Sequence, residues 1–155
     1  MDPRAQAYFE KFLGSLSPDH PQQDQQFDAY YFCADQENAD ICADLVLTGE
    51  KRATAGLLWS YQAENEAVPE VGQLSVITNW SGEPKCVTEV IEVEIKPFNE
   101  VTADFAFEEG EGNKSLEFWR EVHWKFFSEE CDQLGLVPSE DMPVVLEKFK
   151  VVYQE

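Results

Sequence analysis

Apolar positions along the chain change spacing several times, and each change marks an element. Tyr8, Phe9, Phe12 and Leu13 recur at helical intervals. Asp2 is suited to cap that helix and Pro3 fits its first position, so a helix is expected from Pro3 to Leu16, ended by Ser17-Pro18. Residues 19–26 are polar and read as a loop. Phe27 to Ala34, "FDAYYFCA", reads as a short strand or connector. Asp35 then opens a second helix through Ile41, Leu45 and Val46, stopped by Gly49. Residues 56–64 fit a short helix or turn.

Further on the spacing becomes that of strands. Gln73–Trp80 and Lys85–Ile95 read as two strands joined by Ser81-Gly82-Glu83-Pro84. Val87, Ile91, Val93 and Ile95 are expected on one face, interrupted by Glu89, which points inward or sits at a bulge. Residues 101–113 are acidic and end loop-like. Ser115 is suited to cap a long helix of about 116–133, with Leu116, Trp119, His123, Phe126 and Phe127 on one face and Gly135 as its stop. Pro143–Gln154 is a final strand. The order of helix, helix, strands, helix, strand shows no βαβ alternation and no repeat. It predicts an α+β fold, a curved sheet or small barrel covered by helices.

Composition narrows the function. With 155 residues, 43% of them hydrophobic and 13% aromatic, the chain can bury a core and suits one compact domain. The formal net charge is −20. Nucleic-acid binding draws on Lys and Arg to neutralise phosphates, so this field disfavours extended RNA or DNA and favours a small ligand. No apolar run reaches the roughly 18 residues of a membrane span. The start, "MDPRAQAYFEKF", lacks the pattern of a signal peptide, so a cytoplasmic protein is expected. Cys33, Cys42, Cys86 and Cys131 are widely spaced and read as buried free thiols. No zinc spacing and no GxGxxG or GxxxxGK[ST] loop occurs, so neither metal nor cofactor is expected. A Ser-His-Asp arrangement would rest on His123, and no GxSxG elbow supports it.

Against this background "TGEKRATA" stands out. Between Phe12 and Pro84, Lys51 and Arg52 are the only Lys or Arg residues, against twelve Asp and Glu. Gly49 ends a helix, which places Lys51 to Thr54 in an exposed corner. Lys51 and Thr54 then share a ligand, the lysine as charge or base and the threonine as hydroxyl. The plainer alternative is a cation answering a helix C-terminus. A second candidate is "FEEGEGNKSLEFW". One of its glutamates turns toward Lys51 as a base or water-orienting group, or the run is a solvated acidic loop before a helix. Among the tryptophans, Trp119 reads as core, while Trp59 and Trp80 are candidates for a pocket wall; ordinary packing is the alternative for each. Glu92 and Glu94 are expected to face solvent.

Taken in order, these stretches resemble the ASCH domain family. The features are the G-x-K-x-x-T turn at Gly49 to Thr54, a P-x-x-G turn and two strands leading to Pro97-Phe98, and "EEGEGNKSLEFWREVHWKFF" with its W-R-x-x-H. The resemblance covers about Tyr30 to Tyr153 and implies a PUA-like fold, a small β-barrel with surrounding helices. Residues 1–26 then form a helical extension packed on the domain, and residues 27–155 the domain itself. The family is thought to bind or act on RNA or modified nucleosides. One short branch, similar at the turn, hydrolyses the amide of N4-acetylcytidine. From that likeness Lys51, Thr54 and Glu111 carry over as catalytic residues, with Glu109 as competitor to Glu111. Arg52, Glu109, Trp59 and Trp80 are the expected substrate-binding residues. This chain departs in its Gly-rich acidic loop and in Asn113, where the longer subgroup is expected to have Asp. The expected partner is a nucleoside or RNA fragment. An RNA-binding or RNA-cleaving module, or a non-catalytic ligand-binding domain, is the alternative.

Overall fold

A computed structural model describes residues 2–33 and 35–155. Met1, and Ala34 at the end of the expected "FDAYYFCA" segment, lie outside the described residues. Five α-helices are present among the described residues: α1 (Pro3–Gly14), α2 (Gln36–Thr48), α3 (Leu58–Ala63), α4 (Ala103–Glu109) and α5 (Leu116–Leu134). Five strands accompany them: β1 (Phe27–Tyr30), β2 (Ala53–Leu57), β3 (Leu74–Thr78), β4 (Pro84–Pro97) and β5 (Pro143–Tyr153). The strands form a mixed sheet in the order β1-β3-β4-β5-β2, with β1 parallel to β3 and β2 antiparallel to β5. The architecture is α+β. The sheet ends at β1 and β2 and does not close into a barrel. Among the described residues no helix is long and apolar enough to cross a membrane.

Helix ends follow the sequence closely. The side chains of Asp2, Asp35 and Ser115 accept hydrogen bonds from Arg4, Asn38 and Phe118 N–H groups, which caps α1, α2 and α5. Gly49 and Gly135 close α2 and α5 in the left-handed region. Other expectations need correction. β2 and α4 were not anticipated: the short Ala53–Leu57 run gives little strand signal, and residues 101–113 read only as acidic with a loop-like end. On β4 the buried positions are Cys86, Val87, Thr88 and Val90, whereas Ile91 and Ile95 are about half exposed. A regular period of two therefore fails along this long strand. Phe126 is likewise exposed on α5, beside fully buried Phe127. Glu89 accepts a hydrogen bond from Gln22.

The chain divides into two compact units: Met1–Glu50, Val71–Ile91 and Phe149–Glu155 form one, and Lys51–Glu70 with Glu92–Lys148 the other. In the first, α1 buries Ala5, Tyr8, Phe9 and Phe12 with Leu74, Val76 and Val87. A neighbouring cluster joins Phe32, Cys42 and Val46 to Ile77, Cys86 and Phe149. In the second, Ala53 and Leu57 of β2 meet Phe98, Phe105, Trp119, Phe127, Cys131 and Val144. Fully burying one such large side chain contributes roughly 1.5–3 kcal/mol. The candidate residues Lys51, Arg52, Thr54, Trp59, Glu109 and Glu111 all belong to the second unit.

Candidate functional site

The site begins with the end of α4. A helix leaves its last carbonyls without partners, and here the Lys51 segment supplies them. Arg52 donates its backbone N–H to the Glu108 carbonyl at 2.7 Å. Lys51 Nζ lies 3.4 Å from the Glu109 carbonyl and 2.9 Å from that of Ala53. Lys51 thus does answer a helix C-terminus, but that of α4 and not that of α2, which precedes it. It is also not in an exposed corner: Lys51 is 2% exposed. The polar, glycine-ended sequence suggested a surface turn, but the lysine stem folds inward beside the core of its unit.

Gly110 then turns the chain in the left-handed region, with φ 74°, so that the residues on both sides of it reach the lysine. Lys51 Nζ stands 3.0 Å from Glu111 Oε2 and 3.5 Å from Glu109 Oε2. The two carboxylates differ. Glu109 is sealed, and its other oxygen accepts the Trp119 indole N–H at 2.9 Å. Glu111 keeps 28% of its side chain exposed. Gly112 continues the turn with φ 58°, and a Cβ there would lie 2.3 Å from the Phe118 ring. The "EGEG" run is therefore dictated by geometry at both glycines.

A fourth titratable group completes the cluster. His123, one helical turn beyond Trp119, places Nε2 3.3 Å from Glu109 Oε2. Its Nδ1 is 2.8 Å from the Trp119 carbonyl, and its ring stacks on the indole at 4.2 Å. Burial alone raises a carboxyl pKa, yet at Glu109 the charges of Lys51 and His123, with hydrogen bonds from His123 and Glu111, hold it well below the usual range. At Glu111 burial acts the other way: together with the hydrogen bond and charge of Glu109 it raises the carboxyl despite Lys51. Burial also lowers His123, but Glu109 and the Trp119 carbonyl outweigh it and raise the imidazole. One carboxyl is held ionised beside another that accepts a proton readily, the separation acid–base chemistry uses.

The expected residues fare differently. Lys51, Glu109 and Glu111 come together, so both competing glutamates are present. Thr54 lies on β2 opposite Glu147, half-buried, and among the described residues its side chain enters no hydrogen bond. Arg52 points its side chain to solvent and contributes through its backbone. Trp59 packs against the core cluster of the unit. Trp80 belongs to the other unit, with its ring 4.9 Å from Tyr31. His123 was not among the expected site residues. Its signal was its place on the Trp119 face of α5, four residues on, where a titratable side chain among aromatics asks for a charged partner. Glu109, Glu111 and His123 also offer three atoms within 4.8 Å of one another, a spacing that suits a cation. Lys51 Nζ already stands at two of these groups, and its positive charge opposes a second cation there.

A model of the ASCH domain matches residues 28–153, and the chain belongs to that family. It is similar to the crystal structure of an ASCH domain from Lactobacillus crispatus JV V101, with 49% identity and a TM-score of 0.95 over 99% of this chain and 97% of that one. Protein EF3133 from Enterococcus faecalis V583 is 30% identical, with a TM-score of 0.85 over 98% of this chain and 90% of that one. The hypothetical protein PH0355, 18% identical with a TM-score of 0.51 over 83% of this chain and 100% of that one, shares the fold. Among curated proteins none matches the chain. The fold is accordingly the PUA-like fold of ASCH domains.

Proposed function

We propose that this ASCH domain hydrolyses an amide on a small neutral substrate, an N4-acylated cytidine being the preferred class. The observation that carries the reading is the pairing of Lys51 with the partly open carboxyl of Glu111 at 3.0 Å. Glu111 is the most exposed member of the cluster, so it moves the proton. It takes one from the attacking water or from the Thr54 hydroxyl as the C–O bond forms, and returns it to the departing amine as the C–N bond breaks; in the threonine route a water, its proton taken by Glu111 and passed to Thr54 Oγ1, then cleaves the acyl ester and frees the acid. Acid and amine are the products, and one water is consumed. Lys51, buried beneath Glu111, acts through it: the ammonium orients the carboxylate and supplies positive potential to the developing oxyanion. The free hydroxyl of Thr54 supports its role as nucleophile or water-positioning group. The overall charge of −20 supports a neutral nucleoside over a polyanion.

The test is release of cytidine from N4-acetylcytidine by the wild-type protein and by Glu111→Gln. Loss of a positioned proton-transfer group lowers turnover by about 10²–10⁴-fold. Equal rates in the two proteins remove Glu111 from the mechanism. Absence of turnover on every acylated nucleoside, with salt-sensitive retention of single-stranded RNA in its place, overturns the substrate assignment.

A further inference from the structure

The donors and acceptors around His123 fix where its protons lie. Nδ1 faces the Trp119 carbonyl at 2.8 Å, and a carbonyl oxygen only accepts, so Nδ1 carries hydrogen. Were the ring neutral, Nε2 would then hold a lone pair and aim it at Glu109 Oε2, 3.3 Å away. Two lone pairs do not bind, so a proton lies in that gap. Glu109 does not hold it readily. Its Oε1 accepts from the Trp119 indole and its Oε2 is within 3.5 Å of Lys51 Nζ, an environment built for a carboxylate. The imidazole ring also lies on the indole face, interplanar angle 14°, an arrangement that favours a cation over a neutral ring.

We propose that His123 is a mostly buried imidazolium and the positioning residue of the site, holding Glu109 in place so that proton traffic is left to Glu111. Its role rests on the hydrolytic reading above, while its charge state does not. The groups facing it are Glu109 at the end of α4, Glu111 beyond Gly110, Lys51 ahead of β2, and Trp119 on its own helix. With both carboxyls ionised the cluster of Lys51, His123, Glu109 and Glu111 is neutral; with Glu111 protonated it carries one positive charge. The cluster therefore tolerates either state of Glu111 and fixes the state of Glu109. Without the imidazolium, Glu109 loses a cation and competes with Glu111 for Lys51.

The chain has two histidines, which makes the test direct. His20 is an internal reference of opposite tautomer, because its Nδ1 accepts from the Gln22 N–H. Long-range ¹H–¹⁵N spectra of the wild-type protein, assigned with His20→Asn, are recorded at pH 7.5, above the ordinary histidine value of about 6.5. Both His123 nitrogens are expected to be protonated there. In Glu109→Gln the ring is expected to become the neutral Nδ1–H form. A neutral His123 in the wild type, or an Nε2–H tautomer, overturns the proposal, and neither reading depends on any substrate. The activity arm compares kcat/KM for N4-acetylcytidine across pH in wild type and in His123→Asn. At least a tenfold loss is expected, with the pH profile displaced as Glu109 and Glu111 redistribute protons. An unchanged profile shape, whatever the rate, overturns the positioning role. A doubly protonated His123 in a protein that turns over no acylated nucleoside leaves the charge assignment standing and rejects the proposed reaction.

Discussion

Lys51 and Lys148 each lie between two glutamates of the same unit, and the adjacent residues Glu108 and Glu109 go one to each. Lys148 stands 3.0 Å from Glu108 and 3.2 Å from Glu92, with a third of its side chain exposed. Lys51 has similar distances to Glu109 and Glu111, but only 1% of its side chain is exposed. Water and salt screen the first group. The second lies where a lost partner leaves an uncompensated charge. Similar pairing distances thus describe two different kinds of object. The exposed group fastens β5 to β4 and the end of α4; the buried one joins the end of α4 to the segment ahead of β2 and to α5. In the buried group neighbouring charges separate two otherwise similar carboxyls, Glu109 lowered and Glu111 raised.

The sharpest way to break this comparison is to delete each lysine. Lys51→Ala is expected to lower unfolding free energy by about 3–5 kcal/mol, as for breaking a buried ion pair. Lys148→Ala should lose at most about 1 kcal/mol. Urea titrations of both variants decide it, and similar losses would mean that burial does not separate them. The next effect is in pH. The His123 pKa is raised in the folded state, so its stabilisation is fully present below the unfolded value of about 6.5. That stabilisation is lost as pH rises through the higher folded value. Glu109 is lowered, so its contribution is present above its ordinary range and fades only as pH falls toward its depressed value. Glu111 has the opposite sign to Glu109. Thermal melts of wild type against His123→Asn should show the alkaline decline in wild type and its absence in the variant. The smallest effect is at Gly110. Ala there meets φ 74° and should cost about 1 kcal/mol. A Gly110→Ala protein as stable as wild type would show that the turn between the two glutamates is not constrained as described.

Much of this was legible beforehand. Caps and stops such as Asp2, Asp35, Gly49, Ser115 and Gly135 act locally, so their meaning survives without knowledge of the fold. The pairing of Lys51 with a glutamate from the "EEGEG" run was also legible, through the ordered resemblance. The depth of Lys51 was not. Burial of a lysine depends on carbonyls and carboxylates brought from sixty residues away, and nothing between Gly49 and Thr54 reports them. The same reason hid α4, a short helix whose end is completed by a distant segment. His123 went unassigned because Glu109, though a candidate beside Lys51, gave no sign in the sequence that it also meets a side chain of α5. On β4 and α5 the outward Ile91, Ile95 and Phe126 show that apolar spacing predicts a face only where the opposite layer extends far enough to cover it.

Lys51 has a consequence for chemical footprinting. Amine-directed acylating reagents react with accessible lysines, and the side chains of Lys11, Lys85, Lys96 and Lys148 are each about a third or more exposed. Lys51 is shut away with Glu109 beneath the partly open Glu111, so a reagent is expected to reach it only when the turn that carries Glu111 moves aside. Its labelling rate is therefore a clock for that opening, started by mixing and read by mass, which needs no substrate.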